Sequence, residues 1–388
     1  MSGRVTGRYV TVSTVGERVK AFVPSPLPPE PPLDLNDSDR EILEGASRSL
    51  GKLDGLSGML PDLPLFLYMY IRKEAVLSSQ VEGTQSSLSD LLMYENDLVP
   101  GVPEADVVEA SLYVQAMEHG LARMREGFPL SLRLLREMHG VLLSRGRGSH
   151  CTPGEFRRSQ NWIGGTRPGN ARFVPPPPEH LQDCLGALEA FLHDKPTRTS
   201  PLLKAALAHV QFETIHPFLD GNGRLGRLLI ALVLMAEGAL SNPVLYLSLY
   251  FKRNRPEYYE RLGAVRTHGD WEGWVRFFLD GVKETADQAV IAARVLKALL
   301  ETDTEKILSL GRRGPNALRV HRELRLKPFC TVSSTAVKLN LSFPAAAKSL
   351  SALEQLGIVR EITGRERDRV YAYERYIELL AEGTEPLR

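Results

Sequence analysis

From residue 37 to about residue 300, apolar positions recur every three to four residues, the spacing of helices that bury one face. The run "DSDREILEGASRSLGKLDGL" opens behind Asn36 or Asp37, either of which can cap a helix, and stops at a glycine. "PLFLYMYIRKEAVLSSQVEGTQ" follows with a stop near Gly83, and "SSLSDLLMYEND" restarts behind a serine or threonine cap. Residues 105–145 carry two more helical runs. Helices resume at "PEHLQDCLGALEAFLHD" and "PLLKAALAHVQFETIH", then over 225–237, 255–266 and 270–300.

Three stretches break this texture. Residues 1–36 are rich in proline ("FVPSPLPPEPPLDLND") and predict an extended arm or linker. Residues 146–178 are dense in Gly, Pro, Asn and Arg. Within them "NWIGGTRPGNARFV" predicts two short strands around a glycine-rich turn, a β-hairpin. From about residue 301 the order becomes helix, turn, helix and two short strands, that of a winged helix. The expected fold is mainly α, with a β-hairpin flap on a helical core and a small α+β winged-helix module at the C-terminus. The expected divisions are 1–100, 101–300 and 301–388.

Composition narrows the class. Hydrophobic residues are 43% and charged residues 24% of 388, ordinary for a soluble globular chain of two or three domains. The net charge of +1 supplies no global field for nucleic acid or an anionic membrane. Cys151, Cys184 and Cys330 share no metal-ligand spacing and read as reduced thiols. "LGRLLIALVLMAEGAL" is interrupted by Arg227 and Glu237 and is too short to span a bilayer. With no apolar signal-peptide core at the N-terminus, a cytoplasmic protein without a membrane partner is expected.

The densest chemistry is "HPFLDGNGRLGR", His216 to Arg227. Pro217 ends the helix before it, so His216 sits at a helix C-terminus beside a loop. There the helix dipole favours protonation, and an imidazole can act as a general base near neutral pH. Two glycines around Asn222 let backbone N–H groups converge on an anion, and the helix that follows points its N-terminus at the same place. Arg224 and Arg227 lie one turn apart and can reach phosphate oxygens. Asp220 offers one carboxylate, which with phosphate oxygens suits Mg2+. The chain has neither the Gly-Lys-Ser/Thr of a P-loop nor the His-Glu-x-x-His of a zinc protease. His209 reads as structural, and Phe218 as a core anchor for the loop.

These residues resemble the Fic family of adenylyltransferases, whose signature is His-x-Phe-x-Asp/Glu-Gly-Asn-Gly-Arg-x-x-Arg. The resemblance extends to "PGEFRRSQNWIGGTRPGNARFVPPPP" and "LSSQVEGTQSSLSDLL", covering roughly residues 10–290, so that 101–300 would be the catalytic domain. It implies transfer of AMP from MgATP to a Tyr, Thr or Ser hydroxyl of a target protein or of the chain itself. His216 would be the base, and Asp220 would hold Mg2+ on the α- and β-phosphates. Gly221, Asn222 and Gly223 would form the anion hole, with Arg224 and Arg227 on the outer phosphates. Leu225 and Gly226 complete the ATP-binding run, and Tyr259, with Tyr258 in reserve, would wall the adenine. Doc-type relatives, which transfer phosphate, carry lysine where this chain has Gly223, so AMP transfer is favoured. "NWIGGTRPGNARFV" resembles the family's flap, which holds a target peptide by strand addition.

"SSQVEG", Ser78 to Gly83, fits the family's inhibitory motif Ser/Thr-x-x-x-Glu-Gly/Asn. The resemblance implies that Glu82 competes with the γ-phosphate for Arg227, with Ser78 steadying the helix. In the C-terminal module the candidate recognition helix "SFPAAAKSLSALEQLG" holds one lysine, so protein contact or a homodimer is expected there ahead of DNA. The alternative reading is a DNA-binding regulator whose Fic-like domain senses a nucleotide without catalysis.

Overall fold

The computed structural model describes residues 4–59, 63–95 and 101–386. The chain opens with an antiparallel hairpin, β1 (Gly7–Thr14) and β2 (Glu17–Pro24), where an extended arm is expected. The reason lies in the residues before the prolines. "RYVTVST" and "ERVKAFV" alternate β-branched or aromatic residues with polar ones, and Val15 and Gly16 both take positive φ (51° and 75°), as a tight hairpin turn requires. Proline begins only at the end of β2.

Among the described residues eleven α-helices follow before the C-terminal module: α1 (Asp37–Met59), α2 (Leu63–Val81), α3 (Leu88–Tyr94), α4 (Glu104–Arg125), α5 (Leu132–Leu142), α6 (Pro178–Leu192), α7 (Pro201–Ile215), α8 (Asn222–Ala236), α9 (Ser248–Arg253), α10 (Arg255–His268) and α11 (Trp271–Leu308). Capping sets several of their starts. Asn36 Oδ1 accepts from the Asp39 N–H (3.0 Å), and Ser87 caps α3 through a reciprocal pair with Asp90. Asn96 and Asp97, the end of the run expected to follow Ser87, lie outside the described residues.

The pair α7–α8 is the centre of the molecule. Most of both helices is buried, and α11 packs along α1 on one side while α2, α4 and α5 cover the other. Around His209 an aromatic cluster of Phe251, Tyr258 and Trp274 fills the core. That close packing fixes the loop between α7 and α8, where the candidate chemistry sits.

α11 runs without a break through residue 300 to Leu308. Beyond it come α12 (Gly314–Leu326), β3 (Phe329–Thr331), α13 (Val332–Leu339), α14 (Phe343–Gln355), β4 (Arg360–Glu361), β5 (Val370–Ala372) and α15 (Glu374–Ala381). The three strands form an antiparallel sheet in the order β3-β5-β4. The expected helix, helix, strand, strand order is present, with β3 and α15 added. α15 returns to pack on α2, α3 and α11, and just past it the Thr384 carbonyl accepts from Gln80 Nε2 (2.7 Å). Among the described residues no helix is long and apolar enough to cross a membrane.

Candidate active site

The loop from His216 to Gly221 is held closed by its own side chains. α7 ends because Pro217 cannot continue it, and His216 takes a left-handed conformation (φ 50°, ψ 61°). Asn222 closes the turn from the other end. Its Oδ1 accepts from the Phe218 N–H and its Nδ2 donates to the Phe218 carbonyl, both at 2.9 Å. The Phe218 ring is fully buried and stacks on His139 at 3.7 Å, as an anchor should.

α8 begins at Asn222, three residues before the expected start at 225, because Gly221 (φ 75°) makes the turn. The first intrahelical bond runs from the Leu225 N–H to the Gly221 carbonyl (3.0 Å). The N–H groups of Asn222, Gly223 and Arg224 precede it and remain as the donors of a helix start. So the sequence of the anion nest is present, but Gly223 and Arg224 belong to the first turn of α8. Two neighbours support that turn and leave little for a ligand. The Leu225 side chain is wholly in the core and its N–H is already used. Gly226 makes room for packing, since a Cβ there would fall 2.4 Å from Glu213 Oε1, and its carbonyl hydrogen-bonds His209 Nδ1 (2.8 Å).

His216 is neutral rather than poised for protonation, as the helix dipole alone would suggest. Burial, then the Arg157 guanidinium, pushes its imidazole down to about 4. Its Nδ1 is buried near the Glu213 backbone without a hydrogen bond of normal geometry. That leaves Nε2 as the nitrogen open to a reacting group. Arg157, from the "PGEFRR" stretch, fixes the backbone here. It donates to the carbonyls of His216 (2.9 Å), Pro176 and Ser159.

Asp220 is partly exposed. Its Oδ1 accepts from the Gly221 N–H (2.6 Å) and lies 3.7 Å from Arg224 Nη2, and its carbonyl is 3.0 Å from His139 Nε2. The Gly154 N–H donates to His139 Nδ1 (2.9 Å), so Nε2 carries the proton that goes to Asp220. Among the described residues no three His, Cys, Asp or Glu side chains form a metal cluster. One accessible carboxylate beside a helix start is the donor set that suits Mg2+ arriving with phosphates, and Asp220 fits it.

The two arginines are already engaged. Arg224 is 3% exposed and pairs with Glu109 of α4 at 3.1 Å. Burial raises the Glu109 carboxyl, and Arg224 opposes that shift. Arg227 is 4% exposed. It donates from Nε to Ser78 Oγ (2.8 Å), and from Nη2 to the Ser78 carbonyl (2.9 Å) and to Glu82 Oε1 (2.7 Å). Burial works against the charge on Glu82, yet the guanidinium of Arg227 holds its carboxyl below the usual range. Glu82 also lies over the nest, because a Cβ on Gly223 would sit 2.2 Å from Glu82 Oε1.

Tyr259 is 37% exposed and close enough to Glu82 and Arg227 for their charges to act on its hydroxyl, with Arg255 over its ring. Tyr258 is buried and hydrogen-bonded to His209 (2.9 Å), which makes both core residues. The expected flap is reduced to one bridge, Ile163 with Phe173. Gly164 and Gly165 at positive φ, and Asn170 bound to the Thr166 and Arg167 N–H groups, use the span as a compact turn; the prolines after Val174 donate nothing to a ladder. β2 supports this flap from behind, its Phe22 N–H donating to the Val174 carbonyl (2.9 Å).

Four residues here escape the sequence reading: Arg157, His139, Glu109 and Glu213. The first lies in a stretch that resembles the family; the other three sit on helices whose burial pattern looks like ordinary core. Glu213, one turn before His216, is buried with Oε1 unpartnered, and burial pushes its carboxyl up to about 7.

Comparison with known proteins agrees with this geometry. Residues 41–122 match the Fic/DOC family N-terminal model and residues 129–234 the Fic/DOC family model. The chain is 32% identical over 198 residues to "Protein adenylyltransferase Fic" of Drosophila grimshawi, covering 49% of this chain and 37% of that protein. It is 36% identical over 162 residues to the protein of that name from Aedes aegypti, covering 41% and 29%. The chain thus spans between 29% and 37% of the length of these relatives. A Fic family protein from Desulfovibrio desulfuricans G20 shares the fold over 89% of this chain and 98% of its own (TM-score 0.57, 19% identity). Residues 134–508 of Fic-1 from C. elegans do so over 66% and 73% (TM-score 0.51, 23% identity).

Proposed function

We propose that this chain, which belongs to the Fic/DOC family, transfers AMP from MgATP to a hydroxyl side chain of a target protein or of itself, and that its own Glu82 holds it off. The observation that carries this reading is the seat of Glu82. Its carboxylate pairs with Arg227 and lies over Gly223, where the loop and helix start are built to receive an anion.

The chemistry asked of the residues is modest. His216, neutral through its burial, accepts the proton of the target hydroxyl at Nε2. The hydroxyl oxygen bonds to the α-phosphorus as the bond to the bridging oxygen breaks, and pyrophosphate leaves. Charge on the phosphates is met by the N–H groups of Asn222, Gly223 and Arg224, and by Arg227 once it is freed from Glu82. Asp220 would hold Mg2+, which supplies neutralisation of the leaving group. Arg224 reaches a phosphate only by sharing with or leaving Glu109. Tyr259, half-exposed beside Arg227, is placed to border the base, whereas Tyr258 is not. The flap, backed by β2, would present the target by backbone pairing, which gives little side-chain selectivity.

α14 presents Lys348 among alanines and Glu354 and supplies no cationic face for DNA, so the regulator reading gains nothing from it. The proposal is tested with α-labelled ATP on the full chain. Glu82→Gly should label itself or an added protein more strongly than wild type, and adding His216→Ala should abolish the label. Label that survives the loss of His216 would overturn it.

A further inference from the structure

Two charged side chains beside the site have no part in the chemistry above. Glu213 stands on α7 one turn before His216 and is 9% exposed. Its Oε1 is enclosed against Gly226, where a Cβ would come within 2.4 Å of it, and has no partner. Its Oε2 bonds to no described residue and is not enclosed, so this oxygen can still meet a ligand. Arg266 of α10 is half-buried. Its guanidinium lies 4.1 Å over the ring of Phe173, at the bridge of the flap, and makes no hydrogen bond or ion pair with a described residue. A guanidinium drawn this far into a protein ordinarily has an acceptor on it.

Their neighbours put both groups at the nucleotide cleft. The charges of Arg227, Glu82 and Arg266 act on Glu213, and Glu213 acts in turn on the hydroxyls of Tyr258 and Tyr259. Arg266 acts on the imidazole of His216. On α10, Tyr259, Gly263 and Arg266 follow one another at spacings of four and three residues and so share a face. A Cβ on Gly263 would meet nothing within 4 Å. The strip of α10 from Tyr259 to Arg266, about 10 Å long, is therefore open in the middle.

Position decides which part of a nucleotide these groups meet. His216 serves the hydroxyl that attacks the α-phosphorus, so the α-phosphate lies beside it. The ribose is joined to that phosphate through its 5′ oxygen, and the base lies beyond, towards Tyr259. A carboxyl one turn from His216 whose charge also reaches Tyr259 falls at the sugar. A ribose hydroxyl donates one proton and accepts on its lone pairs. A carboxyl and a guanidinium together meet both needs, and an acidic side chain on a ribose hydroxyl is how dinucleotide-binding folds read the sugar. Burial pushes the Glu213 carboxyl up to about 7, against the pull of Arg227 and Arg266. Both of its forms are present near neutrality, and either can bond a hydroxyl.

We propose that Glu213 and Arg266 hold the ribose of the nucleotide. Glu213 bonds a 2′- or 3′-hydroxyl through Oε2 and Arg266 donates to a sugar oxygen, so the pair selects ribonucleotides over deoxyribonucleotides. This assignment rests on the function proposed above.

The test uses the full chain carrying Glu82→Gly and His216→Ala, which opens the site and prevents turnover. The probes are MgATP and its 2′-deoxy and 3′-deoxy forms. By titration calorimetry MgATP should bind tenfold or more tighter than at least one deoxy form. Adding Glu213→Ala should weaken MgATP tenfold or more and bring the three nucleotides within about twofold of one another. Glu213→Gln, which keeps the volume and one acceptor, should restore part of the preference. Arg266→Met should act as Glu213→Ala does, and Arg266→Lys should recover part of the loss. Equal binding of the three nucleotides before these substitutions would overturn the assignment. So would a ribose preference that survives both Glu213→Ala and Arg266→Met, or substitutions that change only the preference for ATP over inosine triphosphate, which would put the pair on the base. MgATP binding without a ribose preference sinks the assignment and leaves the proposed activity standing. Absence of any nucleotide binding refutes that activity and the assignment with it.

Discussion

Glu82 Oε1 lies 2.7 Å from Arg227 Nη2, and Ser78 supplies two further acceptors to the same guanidinium. Arg227 is buried while the Glu82 side chain is 36% exposed, so the contact is strong only while both charges are present. A phosphate that takes Arg227 must first displace a charge-assisted bond. In a His216→Ala background, which prevents turnover, Glu82→Gln keeps the shape and removes the charge. It should tighten MgATP binding by about tenfold or more, measured by calorimetry. Unchanged affinity would mean that Glu82 does not compete for the nucleotide.

Gly223 gives a second, independent handle on the same contact. A methyl at this position would sit 2.2 Å from Glu82 Oε1 and 3.1 Å from Arg227 Nη1. Gly223→Ala should therefore lower thermal stability in wild type, because the carboxylate must move off its cation. In Glu82→Gly that clash is absent, and the same substitution should cost almost nothing. The double-mutant cycle should give a coupling of about 1–3 kcal/mol. Additive effects would place Glu82 elsewhere in solution.

The difference between these handles shows what the residue pattern could deliver. The apolar spacing located the helices, and the loop between α7 and α8 could be read because Pro217, Gly221 and Asn222 act locally. What escaped is what depends on partners far along the chain. Glu109 reaches Arg224 from 115 residues away, and His139 reaches Asp220 from 81. Neither has a local signature that separates it from a core residue. The N-terminal hairpin was obscured by the prolines that follow it, although "RYVTVST" alternates as a strand should. Leu225 and Gly226 show the opposite error: inside the signature run, their atoms serve the core.

The imidazole of His216 carries a pH prediction. Burial, then Arg157, lowers it from the ordinary 6.5 to about 4. A general base works when neutral, so activity is lost as pH falls through the folded value. The acid limb of kcat/KM in Glu82→Gly should therefore lie well below 6.5. Removing Glu82 takes away an acid that raises this value, which moves the limb further down. The stability term has a related sign. The unfolded chain binds the proton first as pH falls from about 6.5 towards 4, so this residue's contribution to folding shrinks over that window. An acid limb at or above 6.5 would show that His216 is solvated in the active form.

Asn222 tests whether the loop or the nest is the more demanding part of the signature. Its amide makes two bonds to the Phe218 backbone, one as acceptor and one as donor, both at 2.9 Å, and the residue is 2% exposed. Asn222→Ala strands the Phe218 N–H, which has no other partner. The Phe218 carbonyl keeps its bond from Asn161 Nδ2 at 3.1 Å. The cost should be about 1–3 kcal/mol of stability, read as a fall in Tm. Asn222→Asp keeps the acceptor but turns a carboxylate oxygen towards the Phe218 carbonyl, and places a charge where an anion should bind. In the Glu82→Gly background the aspartate should therefore weaken MgATP binding more than the alanine does, even if it folds as well. Equal binding by the two variants would mean that Asn222 serves the turn alone and that phosphate is held by the glycines and arginines around it.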